Sequence, residues 1–559
     1  MIKQELSGLV DQSLLKVKRT GQLFFENMPC VIIERTKDKT FGDFSTSLPL
    51  NLAQVLKKNP VEIAGIIKNN LKIDKNIIEK VEIAGPGYLN FFISRTYLYN
   101  LLSRIVSRKE KFSNCKIGRN KRVQVEFASV GPTGPAHIGH ARGAVLGDVL
   151  ANIFRELGFK VKKEYYVNDF GNQIDILGRS LKVRCKEVLD PSLVTEEDRK
   201  IIENGYEGNY LLGIAKKLVK ECGSKCLSEN VSFFSSFAVK ENLSSIKKDL
   251  EDFGVNFDSW TKETDLYKKK KVDHAIKALK KSGNTAVHDG ALWFSLAEQN
   301  QEDKDNVLIR QNGMPTYFAS DIAYHADKFE KKFDIMIDIW GQDHHGHVQR
   351  VKNALKVLGY DPCRLEVILY QLVNLTRNSQ PIKMSTRKGE FVTLREVMDE
   401  VGKDSIRFFF LMRKASSHLN FDLELAKSQS MENPVYYVQY AHARICSIFS
   451  EAEKQLKRKD FRASKEDIAF LKEDAEMELL KKLAYFQDVL FEIVCSKEPQ
   501  SLTVYLQDLA SLFHKFYCEC KVINENPHLT SARLLLVRSV QIAISKGLML
   551  LGVDPKERM

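Results

Sequence analysis

Two histidines three residues apart, His137 and His140, stand at the most chemically suggestive point of this 559-residue sequence. Before them Val123, Val125 and Phe127 alternate with Gln124 and Glu126, the period of a strand, until Gly131, Pro132, Gly134 and Pro135 end any ladder. After them Ile138, Ala141, Val145, Val149 and Ile153 fall at helical spacing up to Gly158, so the pattern predicts strand, glycine-proline turn and helix start. A helix start offers unpaired N–H groups and the positive end of the helix dipole, which suit a phosphate. At i and i+3 the two imidazoles share one face of the first turn, and Gly139 leaves room for a nucleotide to approach the backbone. The plainer alternative is that the histidines only cap the helix; the ordered strand, loop and helix favour the chemical reading, and no glutamate follows the first histidine as in a zinc protease. Far downstream, Pro381-Ile382-Lys383-Met384-Ser385-Thr386-Arg387-Lys388-Gly389 places three cations on a loop after an apolar run, Val367 to Val373, that reads as one buried strand. Such a loop can close over polyphosphate.

These two stretches carry a resemblance. His137-Ile138-Gly139-His140 is similar to the HIGH signature of class I aminoacyl-tRNA synthetases, and Lys383-Met384-Ser385 to the start of their KMSKS loop. Val125-Glu126-Phe127, the segments Tyr165 to Asp169, Pro315 to His325 and Trp340 to Gly346, Phe41-Gly42-Asp43-Phe44 and the closing Gly552 to Met559 resemble arginyl-tRNA synthetases of the bacterial type, essentially end to end. The resemblance implies an ATP-dependent ligase that activates L-arginine as the adenylate and transfers it to the 3′ end of tRNA(Arg), with Mg2+ accompanying ATP. His137, His140 and Lys383 are the catalytic candidates, and Gly134, Pro135, Gly139, Met384, Ser385 and Arg387 join them around ATP. No protein nucleophile is needed, because positioning and charge stabilisation on the phosphates suffice.

A guanidinium is a planar fork of donors, so its pocket should offer a carboxylate. Asp321 lies four residues after Tyr317, which brings phenol and carboxylate together on a helical turn, and the resemblance assigns both to the arginine side chain. Without the resemblance, Asp321 reads as an ordinary residue near a helix start. Glu126 and Gln342 are the candidates for the α-amino end. Where the family usually has Ala-Asn, this chain has Val130-Gly131, and water or Ser129 is the candidate to replace the lost amide. The second cation of the downstream loop is shifted to Arg387 or Lys388. The rival expectations are a class I synthetase for another amino acid and an RNA-binding relative without catalysis.

The elements that must hold these residues follow from the rest of the chain. Its length predicts three or four domains. A hydrophobic share of 43% and 28% charged residues are globular, and a net charge of +13 suits a polyanionic partner without saying which. No run of ~18 apolar residues is apparent and the N-terminus lacks a signal-peptide core, so a cytoplasmic protein with no membrane association is expected. The ten cysteines read as packed thiols. Cys222/Cys226 and Cys518/Cys520 lack second pairs at zinc spacing, so no structural zinc is expected. Asp343-His344-His345-Gly346-His347 looks like a metal cluster, but adjacent residues point apart, which makes shared coordination awkward, and the resemblance implies that they form part of the pocket floor.

The expected architecture is α/β: a doubly wound, Rossmann-like parallel sheet with an N-terminal α+β domain and a C-terminal helical bundle. The expected domains are residues 1–115, which the resemblance places on the tRNA elbow; a catalytic domain over 120–400 with a helical insertion at about 180–300; connecting helices over 401–433; and a helical anticodon-binding domain over 434–559. In the bundle, Leu502, Tyr505, Leu506, Leu509, Phe513 and Phe516 form one apolar stripe and Leu534 to Leu551 another. At the bundle's entry Tyr437, Tyr440 and Arg444 share a helical face, with Tyr436 off it, and aromatics beside Gln439 and Arg444 suit unpaired bases. Tyr436, Gln439, Arg444 and Met559 are therefore the tRNA-binding candidates of a monomer.

Overall fold

The computed structural model describes residues 1–36, 38–295, 306–378, 380–382, 392–457 and 461–559. Its central sheet runs, edge to edge, Leu365–Tyr370, Ile335–Gly341, Arg122–Glu126, Lys160–Val167 and Ser259–Lys262, every neighbouring pair parallel. The strand that comes first in the chain lies in the middle, so the winding reverses beside it, between Arg122–Glu126 and Ile335–Gly341. The carboxyl ends of these two strands meet, Glu126 opposite Asp338, and such a switch point is where doubly wound sheets bind ligands. Val123, Gln124, Val125 and Glu126 are all buried, because helices cover both faces of a parallel sheet.

The stretch after the sheet's second strand departs from expectation. Helices Asn172–Leu189, Asn209–Cys222 and Val231–Asp252 form a layer with its own core around Leu177, Leu181, Leu211 and Phe234. Ser259–Lys262 then rejoins the main sheet, and Thr285–His288, Ala291–Phe294 and Val307–Ile309 form a small antiparallel sheet. The excursion is therefore not helical throughout to about residue 300: beyond Asp252 the helices Glu263–Lys268 and Lys271–Lys281 alternate with short strands. The polar composition hid the short strands, of which Thr285–His288 has its last two residues exposed.

The run Val367 to Val373 is likewise two strands and not one. Leu365–Tyr370 belongs to the main sheet, whereas Val373–Arg377 pairs with Gln380–Pro381 and, in parallel, with Leu419–Asp422. Gln371 and Leu372 make the break, with Leu372 well exposed. The segment 401–433, expected as helices alone, thus contributes a strand to this second sheet.

The N-terminal unit is α+β as expected, a four-stranded antiparallel sheet with helices Ile2–Arg19, Leu48–Leu56, Pro60–Asn70 and Arg95–Arg108. Its hairpin Ile78–Ala84/Tyr88–Ile93 turns at Gly85 and Gly87, both at positive φ, and a Cβ on Gly87 would meet Pro60. The bundle's helices Pro434–Leu456, Gln500–Glu519 and Pro527–Leu551 bury both predicted stripes, and Gly552 ends the last helix in the left-handed conformation. That last helix is long and apolar enough to cross a membrane, contrary to the reading of the sequence, but 67% of its most apolar window is buried inside the protein.

One continuous core runs from Ile2 through the catalytic helix Ile138–Glu156 to Val553. At its centre the fully buried Arg407 donates to the carbonyls of Leu551 (2.8 Å) and Phe253 (3.2 Å) and to Asp148, which also pairs with Lys163. The catalytic helix, the helical excursion and the end of the bundle are fastened at one guanidinium. Removing one partner of such a buried network costs about 3–5 kcal/mol.

Candidate active site

The helix Ile138–Glu156 begins at the switch point, and His137 is its N-cap: Nδ1 accepts the Gly139 N–H at 3.1 Å. That bond leaves Nδ1 without a proton, so the neutral ring carries its hydrogen on Nε2 as a donor. The His140 ring lies over it, centroids 3.5 Å apart. Burial lowers the pKa of His137, and burial together with the neighbouring ring drives His140 well below the usual imidazole range. Both are neutral near pH 7, so they offer phosphate hydrogen bonds in place of charge. The capping reading holds for His137, and that bond leaves room for the chemical reading of the pair. Gly139 serves a different neighbour than expected: a Cβ there would meet the His137 ring at 2.9 Å, so the missing side chain makes room for the histidine itself.

Ala128 and Ser129 both adopt positive φ, +67° and +40°, as the chain leaves the central strand. Non-glycine residues in this region are strained by about 1–2 kcal/mol each, and such strain gathers at ligand sites. The loop Gly131 to Pro135 is then held from outside. Asn242 of the helical excursion donates to the Pro132 carbonyl at 2.9 Å, and the Tyr210 hydroxyl donates to the Thr133 carbonyl while its ring packs on Gly134. These clamps come from residues about 75 to 110 positions away, where no local signal pointed to them. Gly131 borders open space; a Cβ there would find only the Thr133 hydroxyl, at 3.9 Å.

On the other side of the switch point, the helix Tyr317–Glu330 brings Tyr317 and Asp321 together as the spacing predicted. Asp321 is buried, and its Oδ2 accepts from His347 Nε2 at 2.6 Å. His347 belongs to the stretch suspected of metal binding, yet it alone turns inward, with its ring 5.6 Å from that of Tyr317. Tyr317 as a whole is 45% exposed, but burial around its hydroxyl pushes the phenol up, with Asp321 adding to the shift. A second carboxylate, unsuspected from sequence, joins this pocket. Glu263 is buried beside Ser320, and burial, with Asp321 and Asp169 nearby, raises its pKa to about 7. The Tyr166 hydroxyl in the same group is buried with no hydrogen-bond partner. Two neighbouring buried carboxylates and an orphaned hydroxyl suit a cation with several donors.

Glu126 is placed otherwise than expected. Its Oε2 accepts from the fully buried Lys328 and its Oε1 from the Ser129 hydroxyl at 3.1 Å, so both oxygens are spent on the fold. Lys328 also reaches Asp338 at 2.7 Å, and His325 reaches the other oxygen of Asp338 at 2.8 Å. Burial raises Glu126 despite Lys328, whereas Lys328 and His325 outweigh burial at Asp338 and keep it low. Glu126, His325 and Asp338 are close enough to hold a metal, but the Lys328 ammonium already bonds to both carboxylates. Ser129 is similarly engaged, accepting the Tyr166 N–H at 3.2 Å. Both residues are thus hydrogen-bonded within the fold at the start of the loop. Gln342 is half-buried just after the strand Ile335–Gly341. Lys383, Met384, Ser385 and Arg387 lie outside the described residues.

At the bundle's entry Tyr436 stacks on Tyr440 (6.1 Å, 12°) and so lies on the aromatic face, not off it. Arg444 bonds the Tyr440 hydroxyl and covers the rings of Tyr440 and Tyr517 at 5.2 and 5.4 Å. Gln439 is turned inward and donates to Asp404 (3.0 Å) and the Asp554 carbonyl (2.8 Å). Its amide pins the C-terminal segment and is withdrawn from RNA contact. Met559 is half-exposed at the end of that segment.

The doubly wound sheet, the helix start at its switch point and the paired histidines are those of a class I aminoacyl-tRNA synthetase catalytic domain. Models of three families match in order: Arginyl tRNA synthetase N terminal domain over residues 2–93, tRNA synthetases class I (R), catalytic domain, over 101–417, and DALR anticodon binding domain over 438–559. An arginine–tRNA ligase of Carboxydothermus hydrogenoformans is 43% identical across 100% of this chain and 99% of its own length, and that of Bacillus subtilis 42% identical across 97% of each. The solved arginyl-tRNA synthetase of Thermus thermophilus superposes with a TM-score of 0.78 at 21% identity, covering both chains fully. The chain belongs to the arginyl-tRNA synthetase family.

Proposed function

We propose that this chain carries out the family's arginine–tRNA ligase reaction with the residues gathered at the switch point. Arginine enters with its guanidinium between Asp321 and Glu263 and beside Tyr317, while Gln342 lies toward its α-amino end. Its carboxylate attacks the α-phosphorus of ATP, pyrophosphate leaves, and the ribose hydroxyl at the 3′ end of tRNA then displaces AMP from the arginyl adenylate. The neutral His137 and His140 donate hydrogen bonds as charge builds on the phosphates, and the helix start adds its N–H groups. Gly134 and Pro135 border the nucleotide, and Lys383, Met384, Ser385 and Arg387 are assigned to it from the family motif. Mg2+ enters with ATP as part of the substrate.

The two buried carboxylates Asp321 and Glu263, near each other and, among the described residues, without a lysine or arginine ion pair to either, support this reading best. The stacked Tyr436, Tyr440 and Arg444 suit unpaired anticodon bases, with Met559 nearby, and the N-terminal unit is assigned to the tRNA elbow. The domains divide near residues 115, 400 and 433, and we assign the chain to the cytoplasm as a monomer. Charging assays with each of the twenty amino acids and unfractionated tRNA test the proposal. Arginyl-tRNA as the sole product is expected; another aminoacyl-tRNA, or none despite tRNA binding, would overturn it.

A further inference from the structure

Arg142 is fully buried two residues beyond His140, and among the described residues its charge has no counter-ion. Its Nη1 donates to the carbonyls of Gln371 (2.7 Å) and Ser417 (2.8 Å) and its Nη2 to that of Lys414 (2.8 Å). Among the described residues no carboxylate pairs with it, and Nε has no partner. Burial lowers its pKa to about 10, so it stays charged at neutral pH. A buried cation held only by carbonyl dipoles costs more than an apolar side chain of the same volume would. Mere packing does not account for it.

The three carbonyls are informative. Gln371 is the break between the main sheet and the second sheet, and its own N–H donates to the Ala415 carbonyl at 2.9 Å. Lys414 and Ser417 lie in the turn leading to Leu419–Asp422, the partner of Val373–Arg377. Gln380–Pro381, on the same sheet, is the last described strand before the cationic segment that begins at Lys383. Beyond that segment, Val392 accepts the Ile138 N–H at 3.1 Å and Leu394 donates to the Ala136 carbonyl at 2.8 Å. The chain on one side of the cationic segment is thus bonded directly to the histidine turn, and the sheet on its other side is bonded to the same helix through one guanidinium. Just beneath, Gly143 is needed because a Cβ there would meet the Tyr370 ring at 2.8 Å, so helix and sheet edge are in close contact.

We propose that Arg142 is a positioning residue for adenylate formation, fixing the second sheet against the histidine-bearing helix start and setting an unneutralised positive charge behind the first turn. This rests on the site assignment made above. The nucleotide-binding turn and the sheet before the cationic segment must hold one relative placement as pyrophosphate leaves, and displacement of a reacting group by about 1 Å costs roughly 10²-fold. Lysine at this position keeps the charge but cannot span three carbonyls; glutamine loses the charge as well.

The test is ATP–pyrophosphate exchange with arginine and saturating tRNA, comparing the parent protein with Arg142→Lys and Arg142→Gln, alongside thermal unfolding and tRNA affinity. Turnover is expected to fall about tenfold in R142K and about 100-fold in R142Q, with KM for arginine and tRNA affinity within twofold of the parent. Turnover within twofold of the parent in both variants would overturn the assignment. So would a loss shared equally by turnover, KM for arginine and tRNA affinity, or absence of a cooperative unfolding transition in R142K, since these mark a purely structural role. Should R142Q alone fail to fold, R142K decides by the same criteria. If the parent protein exchanges no pyrophosphate with arginine, it is the site assignment that fails.

Discussion

Replacing Asp321 by Asn tests the arginine pocket at its most exposed assumption, that a buried carboxylate waits for a guanidinium. Asp321 is 3% exposed, and one oxygen is committed to His347 at 2.6 Å, which leaves the other for substrate. An amide has nearly the same shape, and its oxygen can still accept from His347, so the fold should be preserved and Tm should move by no more than about 3 °C. The charge is lost, and truncating one partner of a buried, hydrogen-bonded charge pair costs about 2–5 kcal/mol. At about 1.4 kcal/mol per tenfold, that is roughly 30- to 3,000-fold in kcat/KM for arginine. Glu263 remains as a second carboxylate, so the lower part of this range, about 100-fold, is expected. Citrulline, with an uncharged urea in place of the guanidinium, gives the sharper readout: the preference for arginine over citrulline should shrink by a similar factor in tRNA charging, because only the charged ligand uses the lost carboxylate. A variant that charges arginine with unchanged kcat/KM and unchanged preference would refute the reasoning and move the guanidinium elsewhere.

Three further outcomes follow from the same geometry. Glu263, raised to about 7, must be ionised to meet a cation, so KM for arginine should climb by up to roughly tenfold per pH unit as pH falls below 7 and level off above it; steady-state kinetics from pH 5.5 to 8.5 should show this, and Glu263→Gln should flatten the profile. His140→Ala should slow single-turnover adenylate formation by about 100-fold while tRNA affinity stays within twofold, and an unchanged rate would remove His140 from the site. Pyrophosphate exchange with arginine and ATP alone should be negligible and should appear once tRNA is added, as the family resemblance implies; a fragment ending near Ser430 is a poor probe because the bundle shares the catalytic core. Gly552→Ala is a gentler one: its Cβ would press on the Arg407 guanidinium at 2.3 Å, and it should weaken the stimulation by tRNA before it abolishes basal folding.

Local sequence was enough to place the helix start. The strand Arg122–Glu126, the turn after it, the paired histidines and the Tyr317/Asp321 pair depend on period, on breakers and on the i, i+4 spacing, all of which are properties of neighbouring residues. The bundle's stripes were legible for the same reason. The family wording supplied what period could not, the arginine and the tRNA.

What tertiary structure alone decided concerns long-range partners and buried charge. Glu126 looked like a ligand for an ammonium group, and it has one, but the ammonium is that of Lys328, 202 residues away. Glu263 was one acidic residue among many until folding buried it beside Asp321 and raised its pKa. Gln439 is turned inward to the chain end that passes its helix, and Val367 to Val373 divides between two sheets at Gln371, whose carbonyl accepts from Arg142, 229 residues upstream. Hydrophobic period reports which face of an element is dry; it does not report which distant charge will be shut in with it, and a charged side chain's role is set by its partner once water has been removed.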